Sequence, residues 1–419
     1  MPSLQSAIAT YTQRFLVNEP YFEEMPSHDL CLVLVIPAFK EPAIDRTLDS
    51  LGKCLPPGGT VEVICVVNAS KDAATSDLET NANCLQQIQE WRLRHPGHFL
   101  SLKLIREESL HPKKAGAGLA RKIGMDEALQ RWGKLNRNGP ILCLDADCEV
   151  SEEYFVVAEK AFEHPSLGLA HFQFEHRYEK EPDRLLAAGI VDYELHLRCY
   201  IQGLIWAGYP FARHTVGSCM AVRAATYARS GGMNTRKAGE DFYFMHKLLP
   251  VAAFAYLQAR VYPSCRASDR VPFGTGKAQV DYLAAGKESQ SSYHPDCYEC
   301  LKGFFRQIPF LYLQAPEEWQ LPAVLQPLLK RVEFTERVLR IKNQSNSEAS
   351  FLKKFWQWFD GFLVLKFTHY LRDNAYPSLP VARAAQQLRE RIQGTSGVGN
   401  NVDLLNWYRE MDGLYSSRG

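Results

Sequence analysis

ILCLDADCEV, residues 141–150, is the stretch of sequence that decides the fold. Its apolar first half ends abruptly at Asp145 and Asp147. A buried strand of a parallel sheet has this pattern when its carboxyl end delivers polar side chains to a cleft. Two carboxylates one residue apart can share a hard divalent cation, whose other ligands are usually waters and phosphate oxygens. Taken alone, the pattern also fits a loop or a helix cap, so the surrounding segments decide between these interpretations.

Strand-like and helix-like segments alternate around this stretch. Apolar strands are predicted at 31–39, 61–68 and 99–107, and helices at 43–54, 76–94 and 115–132. Alternation of nearly continuous apolar strands with helices predicts an α/β fold with a mostly parallel, doubly wound sheet. In such sheets the ligand lies at the carboxyl ends of the strands. We therefore expect the polar residues that follow each strand to converge on one edge of the sheet.

Length and composition are those of a globular protein with room for two or three domains. The chain has 419 residues, of which 46% are hydrophobic and 23% charged, and its formal net charge is +1. This balance argues against a broad nucleic-acid surface, and we expect no nucleic-acid partner. The expected domains are an N-terminal arm and helix at 1–28, an α/β domain at 29–285, a helical region at 286–393 and a partly flexible tail at 394–419.

The cysteines and the apolar stretches indicate the cellular compartment. Eleven cysteines are scattered along the chain, several of them inside apolar runs, which is typical of reduced thiols rather than of a disulfide framework. No apolar stretch approaches the length that spans a bilayer. The first residues also lack the charged start and apolar core of a signal peptide. We therefore expect a cytoplasmic protein.

The region after residue 285 is predicted to be helical and is rich in aromatic side chains. One apolar stripe at helical spacing comprises Leu352, Phe355, Phe359 and Leu363. The residues with the chemistry of a membrane interface are Lys353, Lys354, Trp356 and Trp358. These helices are therefore a candidate for peripheral membrane contact. The spread of apolar residues around most of the helix favours packing in a core instead.

Candidate ligand-binding residues follow the first two strands and open the helix before the fourth. Glu41 could bond a ribose or a base, or only cap the next helix. Asn68 offers a donor and an acceptor to a nucleobase edge, and an Asx turn fits equally well. In HPKKAGAGLARK, residues 111–122, glycines permit close backbone approach, and Lys114 and Arg121 at a helix start favour an anion. A solvated basic helix face is the alternative for this segment.

Further candidates occur between residues 217 and 276. Glu240 and Asp241 begin a helix, where the helix dipole stabilises acids, and a carboxylate there could also be a general base for an acceptor hydroxyl. Gly217 and Ser218 are small enough to line a wall against a bulky polar ligand. RASDRVPFGTG, residues 266–276, is basic and glycine-rich. It is typical either of a loop that closes over phosphates or of a plain surface loop.

The order of these motifs resembles that of family 2 glycosyltransferases with the GT-A fold. The motifs are VIPAFKE, VVNASKD, the basic helix start, LDADCE, GSCMAVR with GGM, and GED, and they cover about residues 30 to 280. LARKIGMDEA and LCLDADCE are also similar to the chondroitin-polymerase and polypeptide N-acetylgalactosaminyltransferase branches. The resemblance implies a GT-A fold with a C-terminal helical extension. It also implies transfer of a hexosyl or N-acetylhexosaminyl group from a nucleotide-sugar donor, with a UDP-sugar favoured, to a carbohydrate or lipid-linked acceptor.

The resemblance implies a role for each motif as well. The nucleoside contacts would be Pro37, Glu41 and Asn68, and Arg121 would lie near the base or the phosphates. Asp145 would hold ribose or a metal, and Asp147 would hold Mn²⁺ or Mg²⁺. Asp241, beside Glu240, would be the base of an inverting transfer. Where the N-acetylgalactosaminyltransferase branch completes its metal site with a histidine, this chain has Asp269.

Two departures from the family pattern bear on function. The family usually has Asp at the position of Asn68, which leaves the nucleobase open. No Q-x-x-R-W string follows Asp241, which argues against a processive membrane synthase of the cellulose type.

Two other functions stay open. A sugar-phosphate nucleotidyltransferase would carry a glycine-rich, arginine-containing loop after the first strand, where this chain has PAFKEP. A catalytically silent binding or scaffold protein would not need every carboxylate.

Overall fold

The computed structural model describes residues 4–270, 274–285, 290–395 and 399–416. Its strands are β1 (Leu32–Ala38), β2 (Val61–Ser70), β3 (Leu100–Leu110), β4 (Pro140–Cys143), β5 (Glu149–Val150), β6 (Leu167–Phe174), β7 (Met220–Arg223), β8 (Ala253–Tyr262), β9 (Ser291–Ser292) and β10 (Leu379–Pro380). Its 3-10 helices are Tyr178–Lys180, Gly217–Cys219, Pro316–Glu318 and Ala323–Leu325.

The α-helices alternate with these strands and then follow one another in the last third of the chain. They are α1 (Leu4–Phe15), α2 (Ile44–Gly52), α3 (Thr75–Arg94), α4 (Ala117–Lys134), α5 (Tyr154–Phe162), α6 (Arg184–Ala207), α7 (Ala224–Arg229), α8 (Glu240–Leu248), α9 (Thr275–Ala285), α10 (Pro295–Gln307), α11 (Phe310–Leu313), α12 (Gln326–Arg331), α13 (Phe334–Asn343), α14 (Glu348–Trp358), α15 (Gly361–Asn374), α16 (Val381–Gln393) and α17 (Asn401–Ser416).

Backbone contacts divide the described chain into two compact units. The first unit contains the residues up to 182 and those from 215 to 280. The second contains 183–214 and 281–415. Segment 183–214, which we placed in the α/β domain from its sequence, therefore belongs to the second unit, because α6 packs against α10 and α16.

An eight-stranded sheet forms the centre of the first unit. Its strand order is β3-β2-β1-β4-β7-β6-β8-β5. The four strands from β3 to β4 are parallel, and β6 is parallel to β8. Strand β7 runs antiparallel to β4 and β6, and β5 runs antiparallel to β8. The expected α/β fold class with a mostly parallel sheet is confirmed, and every predicted strand and helix of residues 31–145 is present.

The apolar strands are buried because helices cover them, as the continuous apolar runs predicted. Residues Leu32–Ile36 of β1 and Val63–Val67 of β2 have no exposed surface. Helix α4 packs on β1 and β2, and glycine allows its close approach. A Cβ atom at Gly124 would lie 2.4 Å from Val35 Cγ1, a distance that real Cβ contacts essentially never show.

Helix α1 is fixed to the first unit by a buried polar cluster. The Tyr11 hydroxyl donates to Asp126 at 2.5 Å, and the Tyr227 hydroxyl donates to the same carboxylate oxygen at 2.6 Å. Lys122 pairs with Asp126 at 3.0 Å. Burial raises the pKa of Asp126 and lowers the pKa of Lys122, so the cluster depends on mutual hydrogen bonding.

The second unit is helical and contains a buried ionic network that joins α6 to α17. Asp412 accepts hydrogen bonds from Arg198 and from Gln202, the latter at 2.5 Å, and contacts His214 at 2.9 Å. Glu194, with 0% of its side chain exposed, pairs with Arg198 at 2.8 Å and with Arg409 at 2.7 Å. Burial works against the charge of Asp412, but His214 and Arg198 outweigh it and hold the pKa of Asp412 below its ordinary value.

The apolar stripe predicted after residue 350 does not lie on one helix. Helix α14 ends at Trp358, and Asp360 caps α15 by accepting from the Leu363 N–H at 3.0 Å. Phe355 and Phe359 are fully buried in an aromatic cluster. The rings of Trp356 and Trp358 both lie against Phe355, at 5.2 and 5.6 Å. Both tryptophans therefore contribute to packing within this unit.

Two further observations concern the membrane and the thiols. No helix in the described ranges combines the length and the apolar character needed to cross a membrane. All eleven cysteines lie in those ranges and are free thiols. Burial raises the pKa of the Cys297 thiol to about 12 and that of Cys300 to about 11, so both are protonated at neutral pH.

Candidate active site

The two aspartates of the opening motif lie just past the carboxyl end of β4. The Cys148 N–H donates to the Asp145 carbonyl at 3.1 Å and closes a tight turn. The buried Thr47 hydroxyl, on α2, donates to the Ala146 carbonyl at 2.8 Å. The side chains of Asp145 and Asp147 are 42% and 25% exposed. The turn thus presents both carboxylates at the edge of the sheet while its backbone is fixed from behind.

Arg121 connects the first of these aspartates to the acids of α8. Its guanidinium donates to Asp145 Oδ1 at 2.6 Å and to Glu240 Oε1. The Arg121 side chain is 3% exposed. Burial works against its charge, but Asp145 and Asp241 more than offset this and raise the pKa of Arg121. Arg121 Nε is buried and has no acceptor among the described residues.

Asp241 lies close enough to the same guanidinium to interact with its charge. Helix α8 starts after Gly239, whose φ of +69° is in the left-handed region that glycine adopts without strain. The Phe242 N–H donates to Asp241 Oδ1 at 2.7 Å. A Cβ atom at Gly217 would lie 2.9 Å from both Arg121 and Asp241 Oδ2, so a larger residue there would displace these two side chains. Burial raises the pKa of Asp241 despite the opposing effect of Arg121, and repulsion from Asp145 adds to the rise.

A second ionic cluster contains Glu41 and Asp147. Arg266 donates to both carboxylate oxygens of Glu41 and to Asp147 Oδ2, the last at 2.8 Å. Arg270 contacts the same two residues, Glu41 Oε2 at 3.1 Å and Asp147 Oδ2 at 3.1 Å. Glu41 is 1% exposed and its Oε1 also accepts the Ala43 N–H at 3.1 Å. Glu41 thus makes the expected local bond at the start of the next helix, whereas a ligand would have to compete with two arginines for this carboxylate.

The edge expected to bind the nucleoside is organised by a residue that the sequence analysis did not select. Asn81, on α3, is fully buried. It accepts the Lys40 N–H at 3.1 Å and donates to the Asn68 carbonyl at 3.1 Å and to Glu108 at 3.3 Å. Lys40 has a φ of +52°, which is uncommon for a residue with a side chain. Asn81 thereby ties the end of β1, next to Pro37, to the end of β2.

The glycine-rich start of α4 approaches protein backbone rather than open space. A Cβ atom at Gly118 would lie 2.1 Å from the Arg236 carbonyl, and one at Gly116 would lie 3.0 Å from Lys237. The close backbone approach that these glycines permit is made by segment 236–240 of the chain itself. The anion site expected at this helix start stays a prediction. Lys114 is exposed and precedes the helix by a turn closed by its N–H to the His111 carbonyl at 2.8 Å.

The remaining predicted site residues are distributed as follows. Ser218 is 1% exposed and its hydroxyl lies 3.7 Å from Cys219 Sγ. Asp269 is exposed. Residues 271–273 of the predicted phosphate loop lie outside the described residues, and the described part begins with Arg266. Sequence reasoning had marked this loop as basic but had not assigned Arg266 or Arg270 to the site.

The carboxylates fit a particular kind of divalent metal site. In the described parts of the chain, no three His, Cys, Asp or Glu side chains are grouped to hold a metal ion. A metal cage made only of protein ligands therefore does not fit. Mn²⁺ or Mg²⁺ ions need only one or two carboxylates and take their other ligands from waters and a diphosphate, so the expected role of Asp145 and Asp147 stays a prediction. The role of Asp269 as a third ligand stays a prediction.

Comparisons with known proteins give only distant structural likenesses. No protein-family model and no curated protein matches the chain. Residues 1–349 of S. aureus TarS are 14% identical, over 87% of this chain and 92% of that one, with a TM-score of 0.39. TarS 1–349 in complex with UDP-GlcNAc is 13% identical, over 91% of this chain and 90% of that one, with a TM-score of 0.40. Mannosyltransferase PcManGT from Pyrobaculum calidifontis, in complex with GDP-Man and Mn²⁺, is 14% identical, over 89% of this chain and 97% of that one, with a TM-score of 0.35. At these scores, the fold of this chain rests on its own strand order.

Proposed function

We propose that this chain is a glycosyltransferase that moves a sugar from a nucleotide-diphosphate sugar to an acceptor hydroxyl, with inversion at the anomeric carbon. The observation that supports this best is the position of Arg121, between Asp145 on one side and Glu240 on the other. One buried guanidinium joins the motif expected to bind the donor to the helix start expected to carry the base. Donor binding and acceptor chemistry therefore have a shared electrostatic centre.

Asp241 is the proposed base. It removes the proton of the acceptor hydroxyl as the hydroxyl oxygen bonds to the anomeric carbon. The bond between that carbon and the diphosphate oxygen breaks at the same time, and its electron pair leaves with the diphosphate. A raised pKa makes Asp241 a stronger base than an ordinary aspartate, which suits it to accept this proton near neutral pH. Glu240 keeps Arg121 in place beside it.

The charges of the site favour a cation for the leaving diphosphate. Five carboxylates (Glu41, Asp145, Asp147, Glu240 and Asp241) meet three guanidinium groups (Arg121, Arg266 and Arg270), an excess of two negative charges when all are ionised. A doubly negative diphosphate adds to that excess. Mn²⁺ or Mg²⁺ held by Asp145 and Asp147 would neutralise the diphosphate as it departs. Arg121 Nε would donate to the same group.

The donor nucleoside is proposed to lie along Pro37, Glu41 and Asn68, and a UDP-sugar is favoured. The other residues proposed to border the donor are Lys114, Gly217 and Ser218. The acceptor is a carbohydrate or a lipid-linked alcohol. Peripheral membrane contact through α14 remains a proposal for a lipid-linked acceptor, since the exposed Lys353 lies on that helix. Liposome co-sedimentation of the chain tests this contact.

A thermal-shift screen of UDP-, GDP- and dTDP-sugars with Mn²⁺ tests the donor class, because a ligand that binds the folded state raises its stability by mass action. We expect one nucleotide series to raise the melting temperature. The Mn²⁺-dependent part of the shift should be lost in Asp147→Ala, and the whole shift should be kept in Asp241→Asn, which should bind donor without turnover. Asp72→Asn, an exposed carboxylate past the end of β2, is the matched control and should behave as wild type. Unchanged turnover in either site variant would overturn the assigned roles.

A further inference from the structure

Segment 264–270 is held in place by contacts of its backbone and by the side chain of Arg270. It follows β8 directly. The Cys265 carbonyl accepts from the side chain of Gln279, which is fully buried on α9, at 2.7 Å. The Ser268 N–H donates to the Gly276 carbonyl at 3.1 Å. Arg270 also donates to the Phe39 carbonyl at 3.0 Å. The segment is thus a built part of the site edge, which delivers two guanidinium groups to one place.

Both guanidinium groups contact the same two carboxylates. Arg266 and Arg270 each bond to Glu41, after β1, and to Asp147, after β4. Two positive charges therefore neutralise two negative charges in a cluster whose most exposed side chain, Arg266, is 31% exposed. Arg266 Nε is buried and has no acceptor among the described residues. An arginine fork of this kind is also the geometry that binds phosphate oxygens in pairs.

Asp147 thus bonds to the two arginines and is also the residue that the proposed function assigns to the cation. Two guanidinium groups already bond to Oδ2 of Asp147, and their positive charges repel a divalent cation from either oxygen of this carboxylate. The cation therefore binds well only when the arginines have moved away from Asp147. A diphosphate is the group that could take both arginines in exchange, because it offers them the same paired oxygens that the carboxylates offer now.

We propose that Arg266 and Arg270 are diphosphate-binding groups that hold Asp147 until a diphosphate takes them, so that the free protein binds a divalent cation poorly. The inference rests on the proposed function only in taking a nucleoside diphosphate as the ligand. It makes the arginine pair a barrier against cation binding in the absence of donor. Cation and diphosphate then bind with positive cooperativity, since each favours the state in which the pair has left Asp147.

The test measures binding of Mn²⁺ alone to the full-length protein by electron paramagnetic resonance, without any sugar donor. We expect Arg266→Gln/Arg270→Gln to bind Mn²⁺ at least tenfold more tightly than wild type, and Asp147→Asn to remove that gain. UDP binding without metal should weaken at least tenfold in the same double variant. Adding UDP to the wild type should raise its Mn²⁺ affinity. Arg372→Gln, which alters a pair with the exposed Asp373 in the second unit, is the matched control and should change neither affinity.

A second variant covers the case in which the double glutamine variant does not fold, because it leaves the buried Glu41 without its two positively charged partners. Arg266→Lys/Arg270→Lys keeps both charges but loses the two-pronged geometry. It should bind Mn²⁺ more tightly than wild type, by a smaller factor. Equal Mn²⁺ affinity in wild type and in the folded variants overturns the proposal. These readouts involve no turnover, so they are separate from a failure to find a sugar donor, which would count against the proposed function alone.

Discussion

Replacement of Arg121 by methionine is the perturbation whose consequences follow most directly from the structure. The variant keeps the apolar stem but removes the charge between Asp145 and Glu240. Removing one partner of a buried ion pair usually costs about 3–5 kcal/mol, because the other charge stays buried. The Glu240 side chain is 5% exposed and takes this full cost, whereas Asp145, at 42%, can regain water. We therefore expect a loss of about 3 kcal/mol, mostly from Glu240.

Thermal denaturation followed by circular dichroism measures this loss. For a unit of this size each kcal/mol lowers the midpoint by about 2–4 °C, so Arg121→Met should unfold about 6–12 °C below wild type. Adding Glu240→Gln removes the unpaired charge and should restore most of that difference. A fall of less than about 2 °C in Arg121→Met, or a further fall on adding Glu240→Gln, would refute the reasoning.

Arg131 is the matched control because it lies on the same helix and makes a buried pair away from the site. It donates twice to Glu62, at 2.6 and 2.8 Å, and its side chain is fully buried. Arg131→Met should destabilise the protein to a similar degree but keep donor turnover at temperatures well below its transition. Arg121→Met should lose turnover at those temperatures. Equal turnover by the two variants would show that Arg121 has no role in the reaction.

Three further predictions concern the base, the nucleoside edge and the second unit. Because a base works deprotonated and burial raises the pKa of Asp241, kcat/KM should fall on the acid side at a pH above the ordinary aspartate value of about 3.9, and a pH–rate profile measures this. Asn81→Ala leaves the Lys40 N–H and the Asn68 carbonyl without a partner at a cost of about 1–3 kcal/mol, so calorimetry should show UDP binding at least tenfold weaker while kcat changes little. Asp412→Ala removes the shared acceptor of the buried Arg198, Gln202 and His214 and should lower stability by about 3–5 kcal/mol in urea unfolding, whereas the exposed Asp373→Ala should leave the transition unchanged.

The strand–helix order of residues 31–145 could be predicted because it is written in local patterns. Continuous apolar runs of strand length, bounded by turn residues, are typical of strands in a sheet that is covered on both faces. The position of Asp145 and Asp147 followed from the rule that such strands present their ligands at the carboxyl end. Nothing nonlocal was needed for either inference.

The contacts that shape the site could not be predicted because they join distant parts of the chain. Arg266 and Glu41 are 225 residues apart, and no spacing in the sequence relates them. The basic loop was visible, but its partners were not. Asn81 appeared as an ordinary polar residue of a helix, since only the paired strand ends reveal what it bonds. The glycines of α4 showed that something approaches closely, and only the structure shows that it is segment 236–240.

Release of nucleoside diphosphate from UDP-, GDP- and dTDP-sugars, measured with Mn²⁺ and a panel of carbohydrate and lipid-linked acceptors, tests the central claim most directly. We predict that one nucleotide series is consumed with formation of a glycosylated product, and that Asp241→Asn abolishes this turnover without abolishing donor binding. Pyrophosphate release from a nucleoside triphosphate and a sugar 1-phosphate, with no turnover of any nucleotide sugar, would contradict it.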